Sequence, residues 1–468
     1  MANSLTQTIA LDLGSTSIKA GLLNNHGEFN TVLSLPAPVI SGENGRYESD
    51  GLAYLKTASQ LLEICLADAG SHARLGLCCQ RSSFLIWEKA GGLPVTSLIS
   101  WQDSRGEASC EALKAKESTI IELTGLRLAP YYFAPKVRQL LQQYPEWRIG
   151  LEQGSLLIGT LDTFLIWRWS GGKYYQTDVS MAARTLLMDI HSGDWSQRLC
   201  GLFAIPSPIL PKIKPSCGLL LPLNNNCLLN ASVADQSAAL IAAIKPESAA
   251  ALVNLGTGGF VIRYIPDQDK IPTEGYLKTL IYQDIALTSH LAIEGTLNSI
   301  AAALAPYPFR QCRLEDLAKI EQLFCIPEPD GMGAPYFHKH AGIVFSSSVE
   351  HLNPHEIACL LLEGIIFRVT KILEDFHQLY GIERVYLSGG LSELSTLQQG
   401  IAIASCSSFE VRHLLQKDAS LQGAAILAAV LPPACRSKSV KVQATPHTKA
   451  IRNKYERWKL WFEAYLGS

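Results

Sequence analysis

The sequence predicts an α/β protein assembled from two related halves. Apolar runs of strand length alternate with helical apolar spacing along nearly the whole chain. One stretch, Ala10-Leu11-Asp12-Leu13-Gly14-Ser15-Thr16-Ser17-Ile18-Lys19-Ala20, runs from apolar residues to an acid, through small residues, and back to apolar residues. It reads as a β-hairpin whose turn exposes backbone N–H groups and hydroxyls able to cradle phosphate oxygens. About 240 residues later Ala251-Leu252-Val253-Asn254-Leu255-Gly256-Thr257-Gly258-Gly259-Phe260 repeats the design, with Asn254 where the acid stood. A nucleotide taken up by two such turns is the hypothesis the rest of the chain has to support.

Composition narrows the function classes. The chain has 468 residues, enough for two to four domains, and is 47% hydrophobic and 18% charged, so it can fill buried sheets. A net charge of -2 with no basic block argues against nucleic acid as a partner. The 12 cysteines are scattered without zinc-finger spacing, which reads as reduced thiols in a cytoplasmic protein. The polar start over residues 1–7 does not read as a signal peptide, and no apolar run reaches the length of a membrane span.

The elements follow in order. Residues 42–50 read as a loop. Leu52, Leu55, Ala58, Leu62 and Leu66 predict a helix over 51–69. Short buried strands are expected at 75–79, 84–87 and 96–100, and helices at 107–123 and 131–143. A strand at 155–158 leads to Gly159-Thr160, which opens a helix over 161–169, and Gly171-Gly172 closes it. The first half runs out over 215–226, where Pro, Gly and Asn accumulate. Val233-Ala234-Asp235-Gln236 then opens an Ala-rich helix, and the second hairpin follows. A strand or strand pair is expected at 285–293, with Glu294-Gly295 opening a helix and a Pro/Gly-rich loop at 323–337. The strongest helical pattern covers 354–379, capped by Gly381. A buried strand ends at Gly389-Gly390, an Ala-rich helix spans 421–430 before Pro432-Pro433, and an amphipathic helix covers 451–466.

Several residues admit both a chemical and a plain structural role. Asp12 is either a ligand for nucleotide-bound magnesium or a turn residue capping its own backbone. Asp235, at the start of a helix, is either a proton acceptor kept ionised by the helix dipole or an N-cap. Arg81 and Asp103, just past apolar strands, suit a polyhydroxyl substrate or a solvated ion pair, and Tyr131 and Tyr132 suit a pocket wall or the core. Gly389-Gly390 lets a flat ligand approach the backbone or merely turns the chain. His338 and His340 lie near Gly333-Ala334-Pro335 and His351 and His355 are four apart, but with no acid completing a set they carry no metal assignment.

The order of these motifs resembles the FGGY family of carbohydrate kinases, whose members act on glycerol, xylulose, ribulose and gluconate. The most specific block runs from Gly159-Thr160-Leu161-Asp162 through Trp167 and Gly171-Gly172-Lys173 to Thr177-Asp178-Val179-Ser180-Met181-Ala182-Ala183-Arg184-Thr185. Asp12 to Ser17, with Lys19, resembles the first phosphate loop, Gly256-Thr257-Gly258 the second, and Gly389-Gly390 the adenosine loop. Gly331-Met332-Gly333-Ala334-Pro335-Tyr336 matches a further block.

The resemblance implies a two-lobed, duplicated actin-like ATPase (ribonuclease H-like) fold with a central cleft. It divides the chain into a sugar-binding lobe with the first phosphate loop over 1–228, a nucleotide-binding lobe over 229–435 and a helical tail over 436–468. It implies ATP and Mg2+ as cofactors, Asp12 on the metal, Asp235 as general base, and Arg81, Asp103, Tyr131 and Gln236 on a small sugar or polyol. The assembly it allows is a homodimer. Three departures leave the substrate open. Glycerol-using members follow the Arg81 position with Glu and Thr, where this chain has Ser82-Ser83. The Met-His-Gly of ketose-using members is absent near this point, and residues 301–305 lack the Gly and Gln that contact adenine. Two other readings stand beside this one: a catalytically silent sugar or nucleotide sensor on the same fold, and an actin-like ATPase that turns over ATP without a sugar.

Overall fold

The structure is a computed structural model describing residues 7–24, 26–69, 73–224, 226–265, 275–339, 342–406, 408–416, 418–429, 437–444 and 448–467. Residues 1–6, His340, Val430 and the Pro432-Pro433 break lie outside them. The chain resolves into two compact units, one of 1–242, 278–291 and 418–436, the other of 243–277, 292–417 and 437–468.

The first unit is built on a six-stranded sheet. Across it run Phe29–Pro36, Ser17–Leu23, Thr8–Leu13, Arg74–Cys79, Leu228–Ala234 and Cys217–Pro222. The first three strands are mutually antiparallel, the next two run parallel to Thr8–Leu13, and the last is antiparallel again. The central strands are covered on both faces, so they read as continuous apolar runs. The helix Gly51–Ala69 buries Tyr54, Ala58, Leu61, Leu62 and Cys65. The helix Ala419–Ala429, from near the other end of the chain, also belongs to this unit. It comes so close to the sheet that a β-carbon at Gly76 would stand 2.3 Å from the Ala424 carbonyl oxygen.

The second unit repeats the plan. The sheet that carries it runs Leu277–Gln283, Ser289–Leu297, Gly259–Tyr264, Ala250–Leu255, Arg384–Ser388, Glu410–Leu414 and Ser439–Lys441, most of its first strand and the start of its second falling within 278–291. From Ser289–Leu297 onward a three-stranded antiparallel meander is again followed by two parallel strands and an antiparallel edge. Asp12 faces Cys78 on its parallel neighbour, and Asn254 faces Ser388 on its own, so the two hairpins occupy equivalent places. The helix Pro354–Tyr380 is the long core element here, N-capped by Asn353 with Glu356 completing a capping box. Gly381 closes it in the left-handed conformation. The tail helix Thr448–Leu466 buries Tyr455, Trp458 and Phe462 against this core. Glu328 and Arg368 form a fully buried ion pair at 2.7 Å.

Several local expectations change. Residues 42–50 form a hairpin, Ser41–Glu43 with Arg46–Ser49, because Asn44 and Gly45 both adopt positive φ. The 107–123 helix divides into Glu107–Leu113 and Glu117–Thr124 around a short 3-10 turn, and 131–143 starts at Phe133. Glu294 and Gly295 lie inside a strand, and the next helix begins at Ile300. The cysteines among the described residues are free thiols, and no helix among them is long and apolar enough to cross a membrane.

Candidate active site

In the first unit three parallel strands end side by side, and their carboxyl ends carry Asp12, Gln80-Arg81 and Asp235. Ligands of open α/β sheets bind at this edge. The Asp235 backbone is pinned from the family-specific block. Asp178 caps a short helix by accepting from Ser180 N and Met181 N, and it also accepts Ser216 Oγ at 2.6 Å. Ser180 Oγ donates to Asp178 at 3.0 Å and accepts Ala234 N at 2.8 Å, fixing the residue before Asp235. Burial pushes the Asp178 carboxyl up to about 7.

The Asp235 carboxylate accepts Gln236 N at 2.7 Å and faces Arg81 Nε at 3.7 Å. A third of the side chain, 33%, stays open. Burial raises its pKa, while the nearby guanidiniums of Arg81 and Arg184 oppose the rise. Gln236 Oε1 is buried beside it and meets no donor among the described residues. Asp12 is buried and accepts Ser420 Oγ at 2.6 Å and the Cys78 thiol at 3.4 Å. Burial, with the charge of Asp235 added, lifts its carboxyl to about 6 against the pull of Ser420.

The first turn is tied to this edge by hydrogen bonds. Gly14 N donates to the Ser17 carbonyl at 3.1 Å, and Tyr54 donates to the Gly14 carbonyl. Gln80 Nε2 donates to the Tyr54 hydroxyl, Ser83 Oγ donates to Gln80 Oε1, and Trp101 N donates to Ser83 Oγ. Ser83, one of the two residues departing from the glycerol-using pattern, therefore links the phosphate turn to the 101–105 segment. Thr16 is exposed, Ser15 and Ser17 half-buried. Lys19 is engaged within the unit, its Nζ 2.8 Å from Asp418 Oδ1.

The remaining substrate assignments divide. Asp103 is fully buried and accepts from Tyr47 N and from the backbone and guanidinium of Arg105, which also meets Glu48. Both its oxygens are engaged by these groups, and it anchors Arg105. Tyr131 is exposed with its ring 4.5 Å from that of Tyr132, over which Arg184 stands at 5.5 Å. Sequence reasoning gave no role to Arg184, Ser180, Ser420 or Lys136. Lys136 donates to the Ser82 and Ser100 carbonyls from complete burial, which brings its ammonium down to about 7. Its place opposite two strand ends has no local signature.

In the second unit the Gly256–Gly258 turn and Gly389 come together. Gly256 N donates to the Gly258 carbonyl at 2.8 Å, and the space where a Gly256 β-carbon would project is open. Gly389, at φ +90°, lies so close to the hairpin that a β-carbon would stand 2.4 Å from both Asn254 Oδ1 and the Leu255 carbonyl. Only glycine fits there.

Comparison with known proteins agrees with this construction. Residues 7–228 match the N-terminal domain, and residues 251–431 the C-terminal domain, of the FGGY family of carbohydrate kinases. An apulose kinase of Pectobacterium atrosepticum is 30% identical over 414 residues, 84% of this chain and 83% of that protein. A glycerol kinase of Shewanella baltica is 30% identical over 405 residues, 82% of each. Among solved structures, Plasmodium falciparum glycerol kinase with ADP superposes with a TM-score of 0.84 at 22% identity over 98% of each chain. Gluconate kinase from Lactobacillus acidophilus does so at 0.82 and 18% identity over 99% of each. The duplicated sheet is thus that of the actin-like ATPase fold, and the chain belongs to the FGGY family of carbohydrate kinases.

Proposed function

We propose that this kinase transfers the γ-phosphoryl group of ATP to a hydroxyl of a small ketose or polyol, with Asp235 as the general base. The observation that carries the reading is the setting of Asp235. It is a carboxylate on a pinned backbone, open to solvent on one side, flanked by a guanidinium at 3.7 Å and by the buried, unpartnered Gln236 Oε1. A substrate polyol supplies the donor that Gln236 Oε1 lacks, and Arg81 donates to a neighbouring hydroxyl. Tyr131 offers an exposed ring to the carbon skeleton. Asp103 acts through Arg105. As the hydroxyl attacks the γ-phosphorus, its proton passes to Asp235, and the O–P bond to the leaving diphosphate breaks. A carboxylate whose affinity for protons is raised by burial is the better acceptor at neutral pH.

The nucleotide phosphates are assigned to the turn residues Gly14, Ser15, Thr16 and Ser17, with Asp12 and Lys19 behind them. In the second unit they are assigned to Gly256, Thr257 and Gly258, and the nucleoside end to Gly389 and Gly390. Magnesium fits the donor set. Asp12 is a hard oxygen ligand whose ionisation is disfavoured by burial and by Asp235, a penalty that a bound divalent cation removes. The metal would be held by Asp12 and would neutralise charge on the triphosphate.

A coupled ADP-release assay over glycerol, erythritol, pentuloses, apulose, sedoheptulose and gluconate identifies the substrate. Asp235→Ala should lower kcat about 10²–10⁴-fold and leave nucleotide binding by calorimetry unchanged. Wild-type turnover in the variant, or equal ADP release with and without any sugar, rejects the proposal.

A further inference from the structure

In the second unit two short motifs meet that are unrelated to the residues assigned to ATP and sugar. Cys312 and Asp316 are four apart around a pair of 3-10 turns, and His355 and Cys359 are four apart on the first two turns of the helix Pro354–Tyr380. Four-residue spacing on a helix puts both side chains on one face. Single-atom donors of Cys312, His355 and Cys359 all lie within 4.8 Å of one another. Cys359 Sγ is 3.8 Å from His355 Nε2, and the same nitrogen is 3.4 Å from Asp316 Oδ2. No acid was found for His355 in the sequence because the acid lies 39 positions upstream, next to a thiol with no zinc-finger spacing.

We propose that Cys312, His355 and Cys359, with Asp316 beside His355, form a binding site for one zinc ion. Tetrahedral zinc holds sulfur at about 2.3 Å and nitrogen or oxygen at about 2.0–2.2 Å, so donors around it stand about 3.3–3.8 Å apart. The 3.8 Å between Cys359 Sγ and His355 Nε2 already has this length before any ion is added. The donor chemistry, two thiolates with an imidazole, is that of zinc rather than magnesium or calcium. The frame is fixed. The Cys312 carbonyl accepts Thr396 Oγ1 at 2.8 Å, Asn353 caps the helix that carries His355, and Asp316 is held by Arg313 N and Lys319. The thiols are buried, while the His355 side chain is 39% exposed, giving an ion a way in. On binding, each thiol releases its proton to solvent and sulfur donates a lone pair to the metal, so uptake weakens as pH falls. The site would fasten the 309–316 segment to the start of the long core helix.

The test uses the full-length protein, purified under reducing conditions, stripped with chelator and titrated with Zn2+ alone and Co2+ alone. One equivalent of zinc should bind. Cobalt should give the intense absorption of a tetrahedral ion with a thiolate charge-transfer band. Either Cys312→Ser or Cys359→Ser should weaken zinc binding by at least about 100-fold, and Asp316→Asn by about 10–100-fold. Zinc should also shield Cys312 and Cys359 of the unaltered protein from alkylation, as mapped by peptide mass spectrometry, a readout that does not depend on the variants folding. The inference is overturned by sub-stoichiometric zinc, by cobalt absorption without a thiolate band, by unshielded thiols, or by a Cys312–Cys359 disulfide in the reduced preparation.

Discussion

Glu328→Gln probes how the second unit is held together. Arg368 is completely buried, its Nε donates to Glu328 Oε2 at 2.7 Å, and neither terminal nitrogen meets an acceptor among the described residues. Its guanidinium lies 4.9 Å from the Tyr336 ring and 5.4 Å from that of Phe462. Burial works against the charged form, and the Glu328 carboxylate outweighs it, so the pKa is raised. The substitution keeps an acceptor for Asn298 N and Gly333 N, both 3.1 Å from Glu328 Oε1, while removing the charge and setting the amide NH2 where Arg368 Nε now finds its acceptor. An uncompensated buried cation costs about 3–5 kcal/mol. For a unit of about 190 residues that lowers its melting temperature by about 6–20 °C. Scanning calorimetry measures the shift, and hydrogen exchange along Pro354–Tyr380 locates it. The double change Glu328→Gln with Arg368→Met, which removes both charges, should recover most of the loss. A shift under about 2 °C for the single variant, or a double variant no better than the single, refutes the reasoning.

Two further outcomes follow from the site. Arg81→Gln removes a cation that holds the Asp235 pKa down, so the acid limb of kcat/KM should move to higher pH. An unmoved limb separates Arg81 from the base. Gly389→Ala, at φ +90° and against the Asn254–Leu255 backbone, costs about 1–3 kcal/mol of strain beyond the clash and should weaken ATP binding more than sugar binding. Equal loss of both in calorimetric titrations counts against a nucleotide role for that turn.

What was legible in the sequence was local. The two hairpins, the long helix and the strand ends bearing Asp12, Arg81 and Asp235 are each written in one contiguous stretch of sequence. What was not legible depended on distant partners. Gly295 looked like a helix opening, yet it is glycine because a β-carbon there would stand 2.7 Å from Ile372 of the packed core helix. The engagement of Asp103 by Tyr47 and Arg105 was not legible because it requires the hairpin at 41–49. Ser180 gave no sign that it would hold the amide ahead of Asp235, 54 residues on.

The helix Ala419–Ala429 finishes a sheet that Thr8–Leu13 begins, and Ser420 holds the side chain of Asp12 across 408 positions. During synthesis the leading half of the polypeptide therefore leaves the ribosome with one sheet face bare and Asp12 without its Ser420 partner, and stays so until residues 419–429 have been made. A chain cut short before residue 419 would leave that apolar sheet face exposed, the condition under which partly folded large chains aggregate.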